Sequence, residues 1–398
     1  MPEKIIGPRL AAIVRASRRT FLGLFAMALC LGASTAQARA QGKDLVYVGT
    51  YTGPGKGQGI YAYRFDRATG QLSSLGLVAE SESPAFLAVD PSRRFLYASN
   101  EIDHYEGQAS GAVSAFAIDR ASGKLSLLNE VSAHDPGSAH VVVDFTGKDV
   151  LISNYPLGSV AVFPVLEGGR LGEASDFVRH QGSSVNPQRQ QGPHAHSIAL
   201  SPDNRFAIAA DLGLDQLVVY PLDPAKGKLG TPHVVKTHPG SGPRHMTFDP
   251  SGKFLYLLGE MASTVTVFSY AAADGGLTEL QTISTLPKGF SGESTAAEIQ
   301  IHPSGKFVYA SNRGDDSIAV FRVDHAQGTL RFVERVATGG KTPRNFALDP
   351  SGSWLLAANQ NSNDIVVFRI DHKSGRLTPT GQVVELSAPV CVVFVSLP

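Results

Sequence analysis

Apolar and polar positions alternate in short runs along most of this chain, and turn residues interrupt the runs at close intervals. The stretch 242–260 shows the unit. Arg244 stands at the start of one strand, Asp249-Pro250-Ser251-Gly252 makes a tight turn, and Phe254-Leu255-Tyr256-Leu257-Leu258 forms a second strand that runs into Glu260. In an antiparallel hairpin the start of the first strand lies beside the end of the second, so Arg244 and Glu260 are predicted at the same end of the pair. Two markers repeat this unit. Gly-x-Leu occurs at Gly70, Gly123, Gly169, Gly227, Gly275, Gly328 and Gly375, with a spacing of about fifty residues, and reads as a hairpin turn. A second turn marker runs in phase with it, at Asp90, Asp144, Ser201, Asp249, His302 and Asp349. Each unit therefore predicts four antiparallel strands, and the seven together predict an all-β, seven-bladed β-propeller. Long helical periodicity is missing, which scores against α/β architectures.

The second marker occurs once less than the first. The chain enters on a second strand, 45–51, and ends on 388–394, which resembles the first strand of other units such as 83–89. The C-terminal strand is predicted to complete the first blade, closing the ring and covering its edges. One domain over 42–398 follows.

Composition narrows function more than fold. Lys+Arg and Asp+Glu both number 35, so no global field argues for nucleic acid or a membrane surface. Ser17-Arg18-Arg19-Thr20-Phe21-Leu22-Gly23 resembles a twin-arginine export motif, and an apolar run over 21–33 follows it. Ala36-Gln37-Ala38 or Ala38-Arg39-Ala40 offers a cleavage site, so 1–40 reads as a signal peptide. The rival is a membrane anchor, but the run is too short to span a bilayer. The expected partners are the twin-arginine export machinery and a small molecule. Localisation is expected to be periplasmic or secreted, with no stable membrane association after cleavage. The two cysteines are Cys30, in that segment, and Cys391, in an apolar strand, so neither a disulfide nor a cysteine nucleophile is expected in the mature chain.

The short, uniform turns fall on one face of the predicted disc. Longer connections of variable length, 102–111, 180–192 and 286–296, fall on the other, where function is expected. Aligned on the second marker, the start of each innermost strand carries Ala85, Ala139, His196, Arg244, Ala297 or Arg344. The end of each second strand carries Glu101, Tyr155, Leu212, Glu260, Arg313 or Gln360, with Tyr51 equivalent in the first blade. These positions should converge on the mouth of the central channel. His194, His245, Asn312, Glu298 and Asn345 stand next to them and are expected to bind substrate with Arg344.

A cluster of His196, Arg244, Glu260 and Arg313 combines proton-transfer groups with an anion clamp. The bland alternative is that the charges solvate a channel mouth, but three arginines on one rim without matching counterions argue against it. His194 and His196 alternate along a strand and should point to opposite faces, so no shared metal is expected. His302, at a turn position, reads as a capping or surface group. The polar run 181–191 reads as a mobile rim loop. No phosphate loop, dinucleotide fingerprint or nucleophile elbow occurs, and no cofactor is called for.

Gly192-Pro193-His194-Ala195-His196, Gly242-Pro243-Arg244-His245, Leu258-Gly259-Glu260, Ala310-Ser311-Asn312-Arg313 and Thr342-Pro343-Arg344-Asn345 together resemble the lactonase family of seven-bladed propellers. That family includes a bacterial form of 6-phosphogluconolactonase and the fungal 3-carboxymuconate lactonizing enzymes. The resemblance implies a lactone hydrolase, a carboxylic ester hydrolase acting on a sugar-acid or related lactone, with His196, Arg244, Glu260 and Arg313 at its site. A muconate-type lactonizing cycloisomerase and a non-enzymatic binding scaffold are the alternatives. The export motif departs from a cytoplasmic sugar-phosphate lactonase and points toward an unphosphorylated aldonolactone or another lactone acid.

Overall fold

The computed structural model describes residues 43–397, so the export segment expected at 1–40 lies outside the described residues. Seven antiparallel sheets follow one another along the chain, six of four strands and one of five. Blade 2 is typical: Pro84–Val89 innermost, then Phe95–Asn100, Ala112–Ile118 and Leu125–Ser132 outermost. In blade 4 two short outer strands, Lys228–Leu229 and His233–Lys236, both pair with Gln216–Asp223. The innermost strands touch in a closed cycle, and the cycle closes because Pro389–Val395 pairs with Lys43–Thr50 as the inner strand of blade 1. The seven-bladed propeller and its closure by the C-terminal strand are thus as the repeat predicts.

Seven apolar clusters hold the ring, one between each pair of adjacent blades. Between blades 5 and 6, for example, Tyr256 and Val267 pack with Val308 and Phe321, all fully buried. Each sheet is apolar on both faces because each face meets a neighbouring blade, which explains the near-continuous apolar runs of the second and third strands.

The structure gives the Gly-x-Leu repeat a second purpose. Gly328 sits at φ +73, and a Cβ there would lie 2.3 Å from the Phe254 ring of the preceding blade. Its carbonyl accepts the Tyr256 hydroxyl of that blade at 3.0 Å. The same bond joins Tyr47 to Gly123, Tyr97 to Gly169 and Tyr309 to Gly375. The glycine is therefore both a left-handed turn and a stitch between blades. At the second marker, Asp249 accepts backbone N–H bonds from Ser251, Lys253 and Phe254, which folds the turn around one carboxylate. His302 does this work with its ring: Nδ1 accepts from Ser304 N at 3.1 Å and Nε2 donates to Gly352 O at 2.9 Å. It is a capping group, buried rather than on the surface.

Candidate active site

One irregularity recurs in every blade and builds the site. Each innermost strand slips register against its neighbour: between Pro84 and Phe86, Ser138 and His140, Ala195 and Ser197, Pro243 and Met246, Ala296 and Ile299, and Pro343 and Asn345. Blade 1 carries its shift opposite Cys391, between Gly49 and Thr50. A β-bulge leaves a residue unpaired and re-aims its side chain. The unpaired residues include His196, Arg244 and Arg344, the positions aligned from sequence. The bulge takes two residues in blades 5 and 6, so strict alternation fails there, and in blade 5 the adjacent Arg244 and His245 both join one polar cluster.

A cavity of about 200 Å³ is lined by side chains from all seven blades. Tyr51, Glu101 and Tyr155 come from the second-strand ends of blades 1 to 3, Glu260 and Arg313 from those of blades 5 and 6. Ala139, His196 and Arg344 come from the innermost strands of blades 3, 4 and 7. Of the expected catalytic set, His196, Glu260 and Arg313 line it directly, and Arg344 joins them.

Glu260 is the hub. Its Oε2 accepts from Arg244 Nε at 2.9 Å and lies 3.0 Å from Arg313 Nη2, and its Oε1 accepts from Arg189 Nη2 at 2.8 Å. Burial pushes this carboxyl up, but Arg313, Arg244 and Arg189 outweigh it and hold the group at about 2. Glu260 is thus a fixed negative charge. The His196 Nε2 atom lies 3.7 Å from Glu260 Oε2, and its Nδ1 has no partner among the described residues. Burial, then the charges of Arg244 and Arg344 and the nearby His245, hold His196 well below the ordinary histidine range, so the ring is neutral at pH 7. Arg344 stacks on Tyr51 at 5.2 Å and reaches Glu101 Oε2 at 3.5 Å, and Tyr51 donates its hydroxyl to that same oxygen at 2.6 Å.

The remaining expected residues lie around the cavity rather than in its lining. Arg244 is fully buried behind Glu260, and burial followed by repulsion from Arg313 lowers it to about 9. Its Nη1 donates to His245 Nε2 at 3.3 Å, which assigns the ring proton to Nδ1, 3.2 Å from Glu298 Oε2. Glu298 Oε2 also accepts from Asn345 Nδ2, and Asn345 Oδ1 accepts from Val392 N at 2.9 Å. Burial pushes Glu298 up to about 8 against the pull of Arg244. His245, Glu298 and Asn345 therefore form a buried relay beneath Arg244. Asn312 clasps Thr285, accepting its hydroxyl at 2.6 Å, and donates to Ser317. His194 stacks on Tyr155 with ring centroids 4.7 Å apart.

Arg189 has no counterpart in the sequence alignment. It belongs to the run 181–191, which is pinned rather than loose: Gln190 is fully buried and donates to Leu212 O at 2.8 Å, and Ser184 donates to Asp215 Oδ2 at 2.6 Å. Its one clue is that it is the single charged residue between Gln181 and Gly192.

The sequence over residues 45–394 matches the family described as Lactonase, 7-bladed beta-propeller. The chain belongs to that family. It is 38% identical over 352 residues to the 6-phosphogluconolactonase of Bacillus subtilis (strain 168), covering 88% of this chain and 98% of that one. A 6-phosphogluconolactonase of Formosa agariphila is 35% identical over 304 residues, covering 75% of this chain and 84% of that one. Among solved structures, the Pseudomonas aeruginosa periplasmic gluconolactonase superposes with a TM-score of 0.84 at 37% identity, covering 89% of this chain and 99% of that one.

Proposed function

We propose that this chain is a metal-independent lactone hydrolase that opens a sugar-acid lactone in the seven-blade cavity. The observation that carries the proposal is a neutral histidine 3.7 Å from a carboxylate that three guanidiniums keep ionised. His196 Nε2 would take a proton from water as the water oxygen adds to the lactone carbonyl carbon. The carbonyl electron pair moves to its oxygen, and Arg313 and Arg344 would hold that oxyanion. When the tetrahedral centre collapses, the ring C–O bond breaks, and the departing oxygen takes the proton from the imidazolium. The product is the open hydroxy acid. Glu260 is too weak a base to abstract the proton, but its fixed charge stabilises the imidazolium formed beside it. The cavity, at about 200 Å³, suits a single compact sugar-sized ring, since sites for larger ligands run from about 300 Å³ upward.

The named activities of the relatives support the reaction class. They differ on phosphorylation, one being a gluconolactonase and others 6-phosphogluconolactonases. A pH-stat assay tests the proposal: purified mature protein with gluconolactone and with 6-phosphogluconolactone, corrected for spontaneous opening, should release acid faster than the blank with at least one. No acceleration with either refutes it.

The same reading makes 42–398 the catalytic body and 1–40 a twin-arginine export signal, supported by Arg18-Arg19 and by the periplasmic P. aeruginosa neighbour. Replacing Arg18 and Arg19 together by lysine should retain the protein in the cytoplasmic fraction. Unchanged export would remove this part of the proposal.

A further inference from the structure

We infer that Arg189 is the specificity-determining residue of this cavity, leaving Glu260 Oε1 to grip an anionic substituent on the substrate. The inference rests on the lactone-opening reading of the same site and names the substrate feature that the site would select.

Four guanidiniums surround Glu260 and Glu101, and three of them, Arg189, Arg313 and Arg344, line the cavity with those two carboxylates, so one positive charge in the wall has no carboxylate to match it. They are not equally available to a ligand. The Arg244 side chain is 1% exposed and those of Arg313 and Arg344 are each 17% exposed, whereas that of Arg189 is 41% exposed. Arg189 also holds on by one atom. Nη2 makes both of its side-chain bonds, to Glu260 Oε1 at 2.8 Å and to the Tyr155 hydroxyl at 3.1 Å, and Nε and Nη1 have no partner among the described residues. A guanidinium presents a planar fork that fits a carboxylate or phosphate with two parallel bonds. Only Nη2 of that fork is engaged by other side chains of the described residues.

Exchange costs less for this residue than for the more buried others. Arg189 is the half-exposed member of its pair with buried Glu260, so an anion that accepts two bonds competes for it more readily than for the buried guanidiniums. Releasing Oε1 leaves Glu260 still paired with Arg244 and Arg313 on Oε2, so the hub keeps its charge. The backbone need not move, because buried Gln190 holds the loop at Leu212 and at Asn186 N, 2.9 Å from Gln190 Oε1. Arg189 is also the one guanidinium supplied by a connection between blades rather than by a strand, the kind of segment in which specificity is altered without disturbing the scaffold.

The test compares wild type, Arg189→Gln and Arg189→Lys on a neutral lactone (gluconolactone) and on lactones bearing a phosphate or a carboxylate, with KM and kcat separated. In parallel, calorimetry measures binding of gluconate 6-phosphate, gluconate and inorganic phosphate. Arg189→Gln should lose at least about tenfold more kcat/KM on an anionic lactone than on the neutral one, chiefly through KM, with Arg189→Lys partly restoring it. Whichever of phosphate or carboxylate shows the larger loss is the substituent selected. Equal losses on charged and neutral lactones overturn the inference while leaving the lactonase reading intact. If no lactone is opened by wild type, that reading fails alone, and the calorimetry still decides: weaker binding of gluconate 6-phosphate by Arg189→Gln supports the clamp, and unchanged binding, or none by wild type, overturns it.

Discussion

At the scale of single residues, burial and charge assign the chemistry more sharply than residue type does. Glu260 and His196 are both textual candidates for a base, yet three guanidiniums hold the carboxyl at about 2 while the neutral imidazole keeps a usable lone pair. Activity that needs neutral His196 should therefore hold as pH falls through the ordinary histidine range, with the acid limb of kcat/KM well below 6.5. Because Arg344 is one of the charges that depress His196, Arg344→Gln should move that limb upward, read from pH–rate profiles. A limb that stays in place would detach Arg344 from His196. Glu298 behaves in the opposite sense. Its carboxyl is pushed from an ordinary 4.5 to about 8 in the folded chain, so between those pH values the folded state binds the extra proton. Its contribution to stability is complete below 4.5 and is lost as pH rises toward 8. Urea midpoints should fall over that window in wild type and fall less in Glu298→Gln.

At the scale of elements, the repeat markers were legible because each performs a local job that fixes residue type. The turn marker needs a side chain that accepts a backbone N–H of the turn, which is why Asp, Ser or His fills it. The Gly-x-Leu glycine needs φ > 0 and a close approach to the preceding blade. The tyrosine that caps this glycine comes from the preceding blade and was not legible, because its partner lies about seventy residues away in sequence. Removing one such hydroxyl, as in Tyr309→Phe, should cost about 1 kcal/mol, seen as a lower urea midpoint with unchanged slope. A change within error would mean that the stitch contributes nothing. The bulges were equally hidden: alternation along an inner strand predicts one residue per side, and Arg244 with His245 departs from it. Arg189 escaped because an irregular crossover has no periodic marker to align.

At the scale of the whole molecule, closure turns sequence-distant residues into one site. Tyr51 and Arg344, nearly three hundred positions apart, stack because blade 1 borrows its inner strand from the C-terminus and so meets blade 7. The ring of aligned positions is readable in the sequence, since a fixed offset from a repeating marker becomes a fixed height on the propeller axis. The depth of each side chain was not, because it depends on which neighbours crowd it: Arg244 is buried behind Glu260 while Arg313 and Arg344 reach the cavity. The claim that this assembled cavity opens lactones through His196 is tested most directly by comparing wild type with His196→Asn, using initial rates of lactone opening above the spontaneous rate and thermal unfolding to confirm the fold. His196→Asn should lose about 10²–10⁴-fold in kcat with the folded structure retained; turnover undiminished in the folded variant would rule out His196 as the base.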